Sequence, residues 1–525
     1  MSSNSDYIMS TDPVPSAVQP DWLKEERTRM LGTTTEPKAN GKSVIYWMQR
    51  DVRTADNWAL LFAGHVAQHL SVPLHVVHVL PPPSTHVNDG ETIPPLENLP
   101  MSERHGNFLL GGLELVHQEL KDLNVPLHIC SPPSHDKVAD ALQSQVLDQL
   151  YPAAIICDFT PIRHVRQWME HQLTPSMNKL KVPVWQVDAH NVVPVWHAAD
   201  KRQIGARTLR PRIHKVVNGY LQKFPKFAGN KHLATKPDTV DFDMKSLQEF
   251  LKLDPSVKSQ AWMKPGTEAG KKQFSYFIDH GLSKFDKLRN DPNAKHICSD
   301  MSPWLNHGHF SFQRCIMAVK KLNKYSEGTT SFIEEGLIRR ELSDNYLYYT
   351  PENYDQLGAA LDWAQETLRV HTSDEREYVY TLEELETSNT HDDLWNAAQM
   401  QVVQEGRMHG FLRMYWAKKI LEWTPSPEVA LHTAQYFNDK YALDGKDPNG
   451  FVGVGWSIMG IHDQGWKERE IFGKIRYMNY AGCKRKFKVP DFVKQYKGAK
   501  ENAIKAEAKH NQSKVSRGTK RKADS

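Results

Sequence analysis

Three tryptophans, Trp395, Trp416 and Trp423, stand in the stretch LWNAAQMQVVQEGRMHGFLRMYWAKKILEW that runs from Leu394 to Trp423. Seven residues is almost two helical turns, so Trp416 and Trp423 share one helix face about 10 Å apart along the axis. An indole row at that spacing can pass an electron by short hops. Tryptophans at helical spacing are more often plain core, and the spacing alone leaves both readings open.

The elements that would position these rings can be read from periodicity. Between about Lys42 and His190, apolar runs alternate with amphipathic segments. Val44–Met48, Leu74–Leu80, Pro126–Cys130, Ala154–Phe159 and Val184–Ala189 read as strands, with helices between them at Asp56–Leu70 and Asn107–Leu123. Such alternation implies a Rossmann-like parallel sheet covered on both faces by helices. Pro81-Pro82-Pro83 opens a loop expected to reach about Pro100. After Glu268 the strand signals nearly stop and helical patterns run to Tyr480. The expected fold is therefore an α/β N-terminal domain followed by an all-α C-terminal domain. The boundaries are a disordered extension over 1–40, the α/β domain over 41–191, a connector over 192–267, the helical domain over 268–490, and a disordered basic tail over 491–525.

Composition narrows the function class. At 525 residues the chain has room for several domains and a large core, and a net charge of +4 announces no global affinity for nucleic acid. Positive charge is instead local, in Lys484-Arg485-Lys486, Lys488 and the tail. The five cysteines form no C-x-x-C pair, which argues against a structural zinc or a disulfide framework and for a reducing compartment. Neither a dinucleotide fingerprint nor a phosphate-binding P-loop occurs. No apolar run spans a bilayer and the first forty residues lack a secretory core, so a soluble intracellular protein is expected. Lys520-Arg521-Lys522 could be read by a nuclear import receptor or be only a solvated tail, leaving nucleus and cytoplasm both open.

Several long motifs, in order, resemble the class II cyclobutane pyrimidine dimer photolyases, light-driven flavoproteins of DNA repair. They are VIYWMQRDVRTADNWALLFA, KLRND, SDMSPWLNHGHFSFQR, FIEEGLIRRELSDNYLYY and YFNDKYALDGKDPNGFVGVGWSIMGIHDQGWKEREIFGKIRYMNYAGCKRKF. The resemblance runs from about Val44 to about Phe487. It implies flavin adenine dinucleotide (FAD) in the helical domain, with Ser299, Met301 and Ser302 at the phosphates, where hydroxyls and free N–H groups at a helix start suit an anion. A plain Ser-Pro helix cap is the competing local reading. Phe285 stands in the cofactor-contacting set where the family often has tyrosine, so a phenol contact is lost. Arg413, Asn438 and Asp444 match residues near the isoalloxazine, and Asp463 matches another nearby position. The family's electron path falls on Trp416, Trp395 and Trp423, with Tyr380 as a further donor at the surface.

For the substrate, the resemblance implies double-stranded DNA bearing a cyclobutane pyrimidine dimer, flipped out for repair. Glu335 matches the family's dimer-contacting acid, and a one-residue slip to Glu334 stays open. Arg289 and Asn290 match a pair at the lesion or its phosphates, and Trp456 and Met414 would offer surface to the splayed bases. Arg339, where some relatives have tryptophan, receives no stacking role. Lys484 and Arg485 lie in KIRYMNYAGCKRKFK (Lys474–Lys488), whose basic and aromatic residues suit phosphate contacts. The implied enzyme is a carbon–carbon lyase acting as a monomer, without metal and off the membrane. The resemblance also leaves room in the sheet domain for an antenna pigment of deazaflavin or folate type. The rivals are a cryptochrome-like photoreceptor, a 6-4 photoproduct enzyme and a flavin-free DNA-binding protein, and His409 is expected to be structural.

Overall fold

A computed structural model describes residues 12–84, 99–230 and 241–523. Most of the loop expected between Pro81 and Pro100 lies outside the described residues. The chain divides into two compact units. One contains the described residues up to Ser84 with Pro100–Asp279 and Ser299–Glu352; the other contains His280–Cys298 and the chain from Asn353 onward.

The first unit is built on a six-stranded sheet. Its strands are β1 (Thr28–Met30), β2 (Ser43–Trp47), β3 (Leu74–Val79), β4 (Leu127–Cys130), β5 (Pro152–Asp158) and β6 (Val184–Val187), in the order β1-β6-β5-β2-β3-β4. β2 through β6 are mutually parallel and β1 is antiparallel on β6. β2, β3, β5 and β6 are buried at every residue, as expected where helices cover both faces. Helix α1 (Trp58–His69) starts where the Asn57 side chain accepts the Leu60 N–H, and α2 (Glu103–Asp122) starts at Ser102. Every strand and both helices expected in this region are present, within a few residues of the expected ends.

The N-terminal extension was expected to be disordered to residue 40, and over its described part this is corrected. Val14, Val18 and Leu23 enter the core, and β1 adds an edge to the sheet. Two buried arginines hold this edge. Arg27 donates to the carbonyls of Asp188, Asn191 and Val192, while Arg29 donates to Gln186, Glu170 and the Tyr348 hydroxyl. Charges that would look solvated in a polar stretch are here buried, Arg29 in an ion pair with Glu170 and Arg27 hydrogen-bonded to backbone carbonyls.

The boundary expected at 268 also shifts. Residues Ser299–Glu352 belong with the sheet. The helix Arg340–Tyr348 is buried throughout, and its Asp344 and Glu341 bind Arg50 and the backbone of Val192 and Val193.

The second unit is helical among its described residues. Its centre is α3 (Asp393–Glu405), α4 (Gly410–Trp423), α5 (Pro427–Tyr441) and α6 (Pro448–Met459). Each start is marked in the sequence: Asp392, His409, Ser426 and Asp447 accept backbone N–H bonds, and Pro427 and Pro448 occupy the first turn. Gly406 and Gly460 close α3 and α6 at φ +73° and +66°, a conformation that favours glycine.

The basic tail is corrected as well. Residues expected to be disordered form the short helix Val489–Val493 and then α7 (Ala499–Ala523). Ala499 and Ala503 are buried, the Ala499 carbonyl accepts from Asn396 of α3, and Asn502 donates to the Ser388 carbonyl. Low hydrophobicity suggested disorder, but alanine, lysine and glutamate are strong helix formers, and small side chains allow close packing on α3.

Candidate flavin site and aromatic chain

Four helices of the second unit line a pocket of about 410 Å³, the solvent at its open mouth included, formed by Val402, Met408, Arg413, Trp416, Ala417, Asn438, Asn449, Gly450, Gly453 and Val454. One edge is polar. Arg413 Nη1 donates to Asn438 Oδ1 at 3.0 Å, and Nη2 donates to both oxygens of Asp444 at 2.7 and 2.9 Å. The carboxamide is oriented from its other end, where Asn438 Nδ2 donates to Asp439 Oδ1 at 3.0 Å. An amide has two donor hydrogens and two acceptor lone pairs, so Asn438 keeps one of each for a ligand edge. Asp439 is itself fully buried; burial raises its pKa, while the Lys446 N–H and Gln435 favour its charged form.

Two glycines shape the wall. A Cβ on Gly450 would lie 2.8 Å from Asn438 Nδ2, so that carboxamide occupies space a side chain would take. A Cβ on Gly453 would meet nothing within 4 Å, the signature of open room along α6. The donor set and the apolar walls fit a flat, apolar ring system with a polar edge. These glycines, with Met408, Asn449 and Val454, were missed by sequence reasoning. Small residues at helical spacing in DPNGFVGVG were the available signal.

From the cavity wall a row of rings runs outward. Trp416 stacks on Trp395 with centroids 6.5 Å apart and planes 7° apart. Trp395 meets Trp423 edge-on at 5.7 Å, and Trp423 meets Tyr380 edge-on at 5.6 Å. The three indoles are at most 3% exposed, and Tyr380 is half-buried. Trp395 arrives from α3 and sits between the two tryptophans of α4. The indole of Trp395 donates to the Trp416 carbonyl and that of Trp416 to Gln399, which fixes both planes. Tyr380 is tied to the end of α4 by its own N–H, which donates to the Trp423 carbonyl.

The other expected residues are placed less closely. In the second unit Phe285 is buried, and the Arg289 guanidinium lies 5.9 Å from its ring centre beside exposed Asn290. Met414 and Trp456 are half-buried on α4 and α6 and do not line the cavity. Asp463 is also outside the lining, accepting from the Gln464 N–H and the Trp466 indole. His409 caps α4, a structural position, and burial lowers its pKa to about 4. Lys484 and Arg485 are exposed in and after the short helix Tyr480–Lys484.

In the first unit Ser299 Oγ accepts the Met301 N–H, and Ser302 begins the helix Ser302–Asn306 ahead of Pro303. Glu334 and Glu335 share the π-helical turn Glu334–Arg339. Glu334 is held by Arg210 through bonds of 2.7 and 3.0 Å, which lower its pKa. Glu335 is the other, half-buried carboxyl of that turn. Wide helical turns of this kind are frequent at functional sites.

Among the described residues no cluster of histidine, cysteine and acidic groups could hold a metal, and no helix is long and apolar enough to cross a membrane. The DNA photolyase family model matches residues 44–229. The chain is 45% identical over 475 residues to a deoxyribodipyrimidine photo-lyase of Potorous tridactylus, covering 90% of this chain and 85% of that protein. It is 42% identical over 464 residues to the enzyme of that name from Oryza sativa subsp. japonica, covering 87% and 88%. The chain belongs to the DNA photolyase family. A class III photolyase from Agrobacterium tumefaciens shares the fold, with TM-score 0.63 and 16% identity over 87% of this chain and 86% of that one. The two-part fold class expected from the sequence is therefore borne out.

Proposed function

We propose that this protein repairs cyclobutane pyrimidine dimers in DNA with light, as a deoxyribodipyrimidine photo-lyase holding FAD. The observation that carries this reading is the cavity with an Arg413–Asn438 edge, one wall of which is the first ring of a connected aromatic row. When bound, reduced FAD absorbs blue or near-ultraviolet light and lends an electron to the dimer, with no net redox change once the ring has opened.

The chain's own residues have separate tasks in this account. Arg413 and Asp444 keep the charge at the cavity edge balanced, and Asn438 presents a donor and an acceptor to the cofactor's polar edge. Phe285, Ser299, Met301, Ser302 and Asp463 are the remaining cofactor contacts proposed from the family motifs. Glu335, in a form that carries or shares a proton, is proposed to donate a hydrogen bond to the dimer's carbonyls, steadying the negative charge that develops on them. The Arg210 pair on Glu334 makes that carboxyl the less suitable of the two. Arg289, Asn290, Met414 and Trp456 are proposed to receive the flipped lesion, for which stacking contributes on the order of 1–3 kcal/mol per base. Trp416, Trp395, Trp423 and Tyr380 are proposed to recharge the cofactor from outside, a task distinct from repair. The test of substrate class is illumination of loaded protein with two oligonucleotides, one carrying a cyclobutane thymine dimer and one a 6-4 photoproduct. Restoration of the first alone is expected; restoration of only the second would overturn the reading.

Binding to DNA is proposed to use Lys484 and Arg485 as phosphate contacts. Replacing both by alanine is expected to weaken binding of any duplex and reduce the slope of log affinity against log salt by about 2, roughly one per lost contact. Filter-binding titrations at several salt concentrations check this; an unchanged slope moves the phosphate contacts elsewhere. The protein is proposed to act as a monomer, which light scattering of the loaded protein checks. Nuclear import through Lys520-Arg521-Lys522 is also proposed. Because α7 packs on α3, the test is substitution of those three residues by alanine rather than removal of the tail. Loss of nuclear accumulation of a fluorescent fusion is expected, and equal distribution of both forms would contradict import.

A further inference from the structure

Beyond Trp423 the aromatic row ends in a hydrogen-bonded pair, Tyr380 and His391. The Tyr380 hydroxyl oxygen accepts the backbone N–H of His391 at 3.0 Å. The same hydroxyl lies 2.7 Å from His391 Nδ1. Among the described residues Nδ1 is the one acceptor within reach of the phenolic proton, so the tautomer that satisfies the hydroxyl has Nδ1 accepting and the ring's hydrogen on Nε2. The Tyr378 ring covers the imidazole face at 3.6 Å and 14°, and His510 of α7 stacks on the far side of Tyr378 at 4.2 Å. The His391 ring is also 5.0 Å from Trp423.

We propose that Tyr380 and His391 together form a proton-coupled terminal donor, in which Tyr380 gives an electron to oxidised Trp423 and its phenolic proton to Nδ1 of His391. The proposal rests on the relay reading above. One electron leaves the phenol and fills the hole on Trp423, the hole having been left by light-driven electron loss through Trp416 and Trp395. One proton crosses the 2.7 Å hydrogen bond, the O–H bond breaks and an N–H bond forms. The products are neutral Trp423, a neutral tyrosyl radical and an imidazolium. The positive charge thus ends on His391, where the face of Tyr378 can stabilise it. Return of the electron then requires return of the proton, which makes the separated state persist.

The surroundings keep the imidazole ready. Burial, then the charge of Lys419, lower the His391 pKa to about 4, with Glu377 opposing and His510 adding to the shift. The ring is therefore neutral, and able to accept, throughout the neutral range. Lys419 of α4 also stands 5.4 Å from the Trp423 ring centre, where a cation disfavours a hole on that indole; its partner Glu422 at 2.6 Å offsets part of this. Neither His391 nor Tyr378 was singled out from the sequence. The motif YVY followed by HDDLW carries them, but nothing in it shows that the two segments meet.

The test is transient absorption after a flash on protein loaded with oxidised FAD, in water and in heavy water. Wild type is expected to show a neutral tyrosyl radical that forms more slowly in heavy water and follows the decay of the tryptophan radical. His391→Phe keeps an aromatic ring for stacking and removes the acceptor. It is expected to lower tyrosyl formation on the order of a hundredfold, the low end of what a positioned proton acceptor contributes. Tyrosyl formation at equal rates in both solvents and in the variant would overturn the proposal, as would wild type that forms tryptophan radicals and no tyrosyl. Trp416→Phe separates the two readings. If it forms the same radicals as wild type, the relay itself is wrong and the proposal falls with it; if it forms none, the relay stands and the outcome at His391 decides the proposal.

Discussion

Trp416→Phe is expected to lose nearly all light-driven reduction of bound oxidised FAD while repairing dimers almost normally once the cofactor has been reduced chemically. Trp416 is the ring of the row that lines the cavity, and among the described residues its stacking partner Trp395 reaches the cavity lining through no other ring. Phenylalanine keeps most of the volume, so the structural cost is small, but it is much harder to oxidise. Each 1.36 kcal/mol added to a barrier is tenfold in rate, so a penalty of even about 3 kcal/mol slows the first hop on the order of a hundredfold. Steady illumination with an external reductant, followed by the flavin spectrum, measures this. Equal loss of photoreduction and of repair by pre-reduced protein would sink the division of roles.

The second large effect is expected at Arg413. It bridges Asn438 and Asp444 by three hydrogen bonds at 2.7–3.0 Å, and the Arg413 and Asp444 side chains are only 28% and 16% exposed. Arg413→Ala leaves Asp444 uncompensated beside the cofactor and frees the carboxamide of Asn438 to turn. Truncating one member of such a pair costs about 2–5 kcal/mol, and partial exposure places this case near 2, or about thirtyfold in FAD affinity. Arg413→Lys restores the charge without the forked geometry and is expected to recover only part of the loss. Titration of apoprotein with FAD, followed by flavin fluorescence, checks both variants. Wild-type affinity in Arg413→Ala would remove this edge from the site.

The sheet was legible in the sequence because its strands are short apolar runs bounded by turn residues, buried on both faces. The helices of the second unit were legible because their caps are local: Ser426-Pro427 and Asp447-Pro448 announce a start wherever the chain goes next. Spacing could put Trp416 and Trp423 on one face of a helix. It could not show that Trp395, from a different helix, fills the gap between them, since that depends on how α3 packs on α4. Arg413, Asn438 and Asp444 came together only through the family motifs, because three polar residues spread over thirty-two positions have no periodicity to read. The N-terminal extension, which carries Arg27 and Arg29, was misjudged for a related reason. Their burial is satisfied by carbonyls and side chains some 140–320 residues away in sequence, and a local reading sees only charge. The tail failed differently: low hydrophobicity was taken for disorder, when alanine-lined packing needs little apolar area to dock one helix on another.

The central claim, that this chain is a light-driven dimer-splitting enzyme, is tested most directly with chemically reduced, FAD-loaded protein and an oligonucleotide carrying one defined cyclobutane thymine dimer. Intact thymines are quantified after blue light and after an equal time in darkness. The account predicts restoration in the light and none in the dark. A loaded, reduced protein that left the dimer intact under illumination, or restored it equally in darkness, would contradict it.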